Sequence, residues 1–427
     1  MNRLDIMILL GAGASTPFEV PTMRQFTQDY KEAVEGTPEG KFISDIEEAL
    51  YSSEQNIGGK MPFDLETLLC VLTDLTQERL ISSPTSAYLM HNKQGLMEFR
   101  EEKNVIASKS LSILRQFIFR KCMHPVKIAQ ENEDFSHFNN FYGALMTILN
   151  GQPLRNIQPH MQVVYTTNWD TCFKTWAQYN YGILDCTKIN IMGDQALDAE
   201  SFDKKEANKF TYIPLHGSFD LFRKKIFRAG GTYYTVVKNT DPVKLYDADA
   251  SEFENIFIIY PLEATGYEES VQSPYFDMLH NFRTSLSSDN TVFIIGSSLR
   301  DVTISSILEQ VIKEKIDAHV LSTLSDDLVE RKKEAHNNQY KLIIFTRDSE
   351  RLYTNLINQN NTALASAFMP IQVEFPNMKD TQSDRTLYNI MLNIIYEDLR
   401  TYSIIGENKQ LIDEIREKYQ FDLTRVA

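Results

Sequence analysis

Close to its start, the chain runs from an unbroken apolar stretch straight into a glycine turn. Asp5 to Leu10 reads as a strand buried on both faces, and Gly11-Ala12-Gly13-Ala14-Ser15 follows without a spacer. A strand buried on both faces belongs to a parallel sheet covered by helices. The later sequence agrees. Strands are expected at 161–166, 188–192, 210–215 and 256–260, and a turn followed by a strand at 230–237. Beyond residue 273, helices at 274–286, 302–313 and 330–336 alternate with strands at 291–295, 318–322 and 341–345. Such alternation implies an α/β fold with a doubly wound, Rossmann-like parallel sheet.

The stretch between the first two strands has a different character. Residues 23–33, 42–50, 63–80, 105–122 and 135–149 carry apolar residues at helical spacing, with Asp64 placed to cap the third and Pro125 marking a break between the last two. The tail, at 384–396 and 409–419, also reads as helical. The expected division is a Rossmann-type domain of residues 1–30 and 160–375, a large helical insertion of 31–159, and a helical C-terminal extension of 376–427.

Composition excludes several classes. Hydrophobic residues make up 42% of the 427, enough for a sizeable packed core. The net charge of -15 argues against general nucleic-acid binding, which needs a cationic footprint. The run Ile6 to Leu10 is too short for a signal-peptide core, and nothing approaches the roughly eighteen apolar residues of a membrane span. Cys70, Cys122, Cys172 and Cys186 are too scattered for a zinc knuckle or a disulfide framework. A soluble protein of the reducing cytoplasm is the expectation, with no membrane partner.

Ligands of open parallel sheets sit beyond the carboxyl ends of the strands, where Gly11 and Gly13 fall. Glycine there permits a tight turn and close approach of backbone to a diphosphate, and Ser15 with the following N–H groups can donate to phosphate oxygens. Taken alone, the motif is as compatible with a turn that binds nothing. The third glycine of the usual dinucleotide fingerprint is missing, since the chain continues Thr16-Pro17-Phe18.

Four segments in order carry a resemblance. Gly11-Ala12-Gly13-Ala14-Ser15 with Pro21-Thr22-Met23-Arg24, Thr166-Thr167-Asn168-Trp169-Asp170, Leu215-His216-Gly217-Ser218 and Gly296-Ser297-Ser298-Leu299 each follow an expected strand. Together they resemble the sirtuin motifs, over residues 1–30 and roughly 160–350. The resemblance implies NAD as substrate. In it, Gly11 makes the turn, and Ala12, Gly13 and Ser15 hold the diphosphate. Ser297 and Ser298, after Gly296, face phosphate or the adenosine ribose. Arg24 orders the loop over the nicotinamide ribose. Asn168 bonds that ribose or positions a water. Asp170 faces the carboxamide, and His216 is the general base. Asp170 has a second reading, as a cap of the helix that follows. The chemistry is consistent: departure of cationic nicotinamide needs no general acid, and a neutral imidazole beside an amide suits the orientation of an oxocarbenium-like sugar.

The chain also departs from the deacylating sirtuins. Between His216 and Gly296 there is no cysteine, so the four-cysteine zinc site of those enzymes is excluded there, and no metal is expected. Thr22 and Met23 replace the family's Asp and Phe, and a flexible Met shields the activated sugar less well. Both changes favour water as nucleophile. Zinc-free, helix-enlarged chains of this kind resemble bacterial NAD-depleting effectors of antiphage defence. That implies a homo-oligomer and a partner ATPase or sensor. Protein deacylation or ADP-ribosylation is the alternative from the transferase class. A non-catalytic nucleotide-sensing scaffold is the third reading, and the retained Asn168 and His216 speak against it.

Overall fold

The computed structural model describes residues 6–57, 63–76, 83–91, 96–143, 145–146, 162–190, 192–204, 206, 209–228, 231–239, 241–248, 253, 256–258, 274–287, 291–323, 341–346, 352, 356, 358, 369–374, 387–394 and 422–426.

The main sheet is built from β1 (Ile6–Leu10), β2 (Gln162–Thr166), β3 (Ile183–Leu184), β6 (Phe210–Pro214), β10 (Thr291–Ile295), β11 (Lys341–Thr346), β12 (Met369–Glu374), β13 (Leu387–Ile394) and β14 (Asp422–Val426). Their order is β14-β12-β13-β11-β10-β1-β2-β6-β3. From β11 to β3 neighbours pair in parallel, while β13 joins β11 antiparallel and β12 and β14 continue that sense. A second, antiparallel sheet has the order β4-β5-β8-β7-β9, from β4 (Thr187–Ile189), β5 (Gln195–Leu197), β7 (Gly217–Arg228), β8 (Gly231–Lys238) and β9 (Ile256–Ile258).

Alternation along the central strands separates two cores. On β1, Ile8 and Leu10 join one buried cluster and Met7 and Leu9 the other, and β10 divides likewise into Phe293 and Ile295 against Val292 and Ile294. The first cluster is shared with the long β1-to-β2 connection, which is helical: α1 (Met23–Ala33), α2 (Pro38–Ile57), α3 (Leu65–Thr76), α4 (Ser83–His91) and α5 (Leu96–Glu131), then short helical turns at Ser136–Phe138 and Asn139–Gly143. The same face receives α6 (Cys172–Asn180), through Cys172, Phe173 and Trp176. The second cluster is closed by α7 (Tyr275–Ser287) and α8 (Val302–Thr323). Each fully buried aliphatic side chain of β1 contributes about 1.5–3 kcal/mol, so helices on both faces are anchored on one five-residue strand. The helical region is therefore part of the main core.

The expected fold class holds in its doubly wound sheet and large helical insertion, and three details are corrected. The chain stays helical through Pro125, inside α5. Proline removes one ladder bond there, at a cost of about 3 kcal/mol. Burial of Cys122, Met123, Val126 and Ala129 around it carries the helix across. Residues 318–322, expected as a strand, continue α8, since no Gly or Pro interrupts 302–323. The tail is not helical where it is described: Leu387–Ile394 is β13 and Asp422–Val426 is β14. Leu387-Tyr388-Asn389-Ile390-Met391-Leu392 is apolar enough to satisfy either period, and pairing with β11 and β12 decides for strand. The helices expected at 330–336 and 409–419 lie outside the described residues. Among the described residues no helix is long and apolar enough to cross a membrane.

Candidate active site

Four strand ends form one row. Leu10 pairs with Ile295 on one side and Thr166 on the other, and Thr166 pairs with Pro214. The four motif segments therefore leave the sheet side by side at its carboxyl edge. From β1 the chain goes on to β2 and β6 in one direction and later returns to β10 and β11 in the other. That reversal is the topological switch point at which open α/β sheets take ligands.

At the switch point two backbones touch. Gly11 N–H donates to Ile295 O at 2.9 Å and Gly13 N–H to Gly296 O at 2.8 Å. Gly296 has φ +65°, and a Cβ there would lie 2.3 Å from Ala14 N. A side chain at 296 therefore meets both left-handed backbone strain and overlap with a fixed main chain. Gly296→Ala is expected to lower stability by at least about 1–3 kcal/mol, read as a loss of unfolding temperature by calorimetry. The same bonds occupy the Gly13 N–H, and those of Ala14 and Ser15 close onto Gly11 O and Ala12 O. Among the described residues the Ala12 N–H has no part in this set, which leaves it as a donor toward an anion. Tyr142, from the helical region, donates to Ala14 O at 3.4 Å, and Phe18 packs among Phe138, Phe141 and Tyr142.

Ser15 is fully buried and faces inward. Its Oγ accepts from Asn168 Nδ2 at 2.9 Å, and its hydroxyl hydrogen goes to Asp170. Burial pushes the Asp170 carboxyl up, against the bonds it receives from Ser15 and from Cys172 N–H at 2.9 Å. Asp170 thus sits at the start of α6 in the capping manner and also steers Ser15. With its Nδ2 committed, Asn168 presents Oδ1, which is buried and has no partner among the described residues. An unmatched buried amide oxygen costs about 1–3 kcal/mol, which a ligand hydroxyl or water would recover.

His216 leaves β6 on the same edge and is buried. Gly217, next in the chain, has φ +73°, and a Cβ there would fall 2.0 Å from Phe257 O, so the histidine enters β7 through a backbone only glycine allows. His216 Nε2 lies 2.5 Å from Asp301 Oδ2. A carboxylate only accepts, so Nε2 carries the hydrogen and Nδ1 keeps the lone pair that can take a proton. Burial pushes the Asp301 carboxyl up, but the bond from His216, with those from the Ile304 and Thr303 N–H groups, outweighs it and holds it below the usual range. Asp301 also caps α8, accepting from Ile304 N–H at 2.9 Å.

The structure thus brings together Gly11, Ala12, Gly13, Ser15, Asn168, Asp170, His216 and Gly296. Ser297 Oγ accepts from Leu299 N–H at 3.2 Å within its own turn, and Ser298 is exposed. Arg24 stands exposed in the first turn of α1, whose cap is Thr22. Sequence reasoning passed over Asp301. Its one local signal was an acidic residue directly before the helix beginning at Val302, which reads as a cap and carries no hint of an imidazole partner.

The four cysteines are free and buried, and burial pushes the thiols of Cys122 and Cys172 well up and that of Cys186 to about 12, so these three offer no thiolate. Among the described residues no group of His, Cys, Asp and Glu has the arrangement of a metal site. No curated protein matches the chain. Residues 162–345, from β2 through β11, match the family model described as SIR2-like domain.

Proposed function

We propose that the chain is an NAD+ hydrolase, releasing nicotinamide and ADP-ribose, and that it acts as a regulated NAD-depleting effector of bacterial antiphage defence. The observation that carries the reading is the common edge shared by Asn168, with its unmatched buried Oδ1, and the His216–Asp301 pair. The Gly11–Ser15 turn beside Gly296 would seat the diphosphate, through the Ala12 N–H. Asn168 Oδ1 would accept from a hydroxyl of the nicotinamide ribose or from the attacking water. The C1′–N bond breaks with its electron pair leaving on nicotinamide, which departs neutral, so the site needs no acid. Water adds to C1′, and its proton is taken by Nδ1 of His216 while Asp301 holds Nε2–H. Absence of cysteine from 217–295, which holds β7, β8 and β9, leaves no four-cysteine zinc site there of the kind the deacylases use, and favours water over an acyl group.

Mass detection of product in the activated assembly tests this. Nicotinamide and ADP-ribose are expected in equal amounts from the wild type, and their formation is expected to fall by roughly 10²-fold or more in Asn168→Ala. Undiminished product in that variant removes the site. Label transferred from NAD to protein, or an O-acyl product, would move the reading to the transferase class.

A further inference from the structure

The loop between Gly296 and α8 does more than deliver Asp301. The preceding residue, Arg300, turns toward the helical region, where its guanidinium lies 2.7 Å from Asp64 Oδ2 and 3.6 Å from Glu66 Oε2. Asp64 is itself fixed, since its Oδ1 accepts from the Thr67 N–H at 3.1 Å and so caps α3. One carboxylate therefore ends a helix and grips a loop from the far end of the chain. Asp64 is nearly fully buried and Glu66 mostly so.

We propose that Asp64 and Glu66 clamp Arg300 as a positioning device for the proposed NAD-cleaving site, so that the helical region sets whether Asp301 stands against His216. Two consecutive residues do the coupling: Arg300 is pulled to α3 and Asp301 to the imidazole. The titratable and charged groups around Glu66 are Arg300 and Asp301 of this loop, His216 after β6, and Asp64 on its own segment. Burial raises the Glu66 carboxyl from 4.5 to about 7, against Arg300 and His216 and with help from Asp64 and Asp301. The grip on Arg300 therefore tightens as Glu66 ionises around neutral pH. The folded state binds the extra proton between 4.5 and about 7, so Glu66 makes stability fall as pH rises through that window. A rearrangement of the helical region by a partner or a second copy would act on the same two residues.

The proposal rests on the site described above, and its test uses a readout that needs no turnover. The proton held between His216 and Asp301 is expected to give a far-downfield NMR signal in the full chain. Arg300→Met is expected to abolish or broaden it in a protein that remains folded by circular dichroism, and Arg300→Lys to retain it. In the activated assembly kcat falls roughly 10²-fold in Arg300→Met, with KM little changed. Glu66→Gln, which keeps shape, is expected to shift the signal. Its stability advantage over wild type should grow as pH rises from 4.5 to 7. If Arg300→Met does not fold, Glu66→Gln decides alone. A signal unchanged in both variants, or absent from the wild type, overturns the clamp. An intact clamp in a wild type that never cleaves NAD removes the functional reading instead.

Discussion

Asp301→Asn is expected to lower NAD cleavage by roughly 10²–10⁴-fold, and His216→Ala by at least as much. The two losses should not add. Asp301 works only through His216: as a carboxylate it demands Nε2–H and leaves Nδ1 basic, whereas an asparagine accepts or donates and no longer selects the tautomer. A double variant should therefore be about as slow as His216→Ala alone, measured by nicotinamide release. The stability costs differ. His216→Ala leaves a buried carboxylate held, among the described residues, by the Ile304 and Thr303 N–H groups, while Asp301→Asn removes the charge along with the bond. Rates should be normalised to folded protein, and an additive double variant would separate the two residues.

The largest structural loss is expected at Lys174. This lysine of α6 is 6% exposed, with Asp185 Oδ1 at 2.5 Å and Asp220 Oδ2 at 2.6 Å, and Lys238 closes the network on Asp185. Burial pulls the ammonium down, but the two carboxylates outweigh it and hold Lys174 charged; burial pushes Asp220 up, and Lys174 outweighs that in turn. Removing one member strands the others in a dry interior, so Lys174→Met is expected to cost about 3–5 kcal/mol in urea unfolding. Adding Asp220→Asn should return part of it. The network also joins α6, which follows Asn168, to β7, which follows His216, beside the Phe219 N–H bond to Trp169 O at 3.1 Å. Product formation should fall with stability. A loss under about 1 kcal/mol, the size of an exposed pair, would mean the pair is solvated.

Much of this was legible in the sequence where pattern and chemistry agreed. β1 is wholly apolar, β10 is apolar after Thr291, and both are short and followed by glycine, so strand, face and site end are legible together. Asp64 was read as a cap and is one. What escaped was long-range pairing. β7 went unseen because Arg223-Lys224-Lys225 interrupts its alternation, and its polar members are held by partners such as Asp194 and Lys174. Leu387–Ile394 fits two periods, and only its neighbours choose. Ser15 reads as a phosphate donor in any glycine turn, yet Asn168 and Asp170, more than 150 residues away, claim its hydroxyl. Arg300 and Asp301 carry no motif, because their partners lie more than 230 and some 85 residues away.

The most direct test of the account is the structure of the Asp301→Asn chain, in its activated assembly, with uncleaved NAD bound. The account predicts the diphosphate against the Ala12 N–H beside Gly296, and the nicotinamide ribose between Asn168 Oδ1 and His216. NAD bound away from the carboxyl edge of β10, β1, β2 and β6, or with its nicotinamide end directed away from residues 168 and 216, would contradict it.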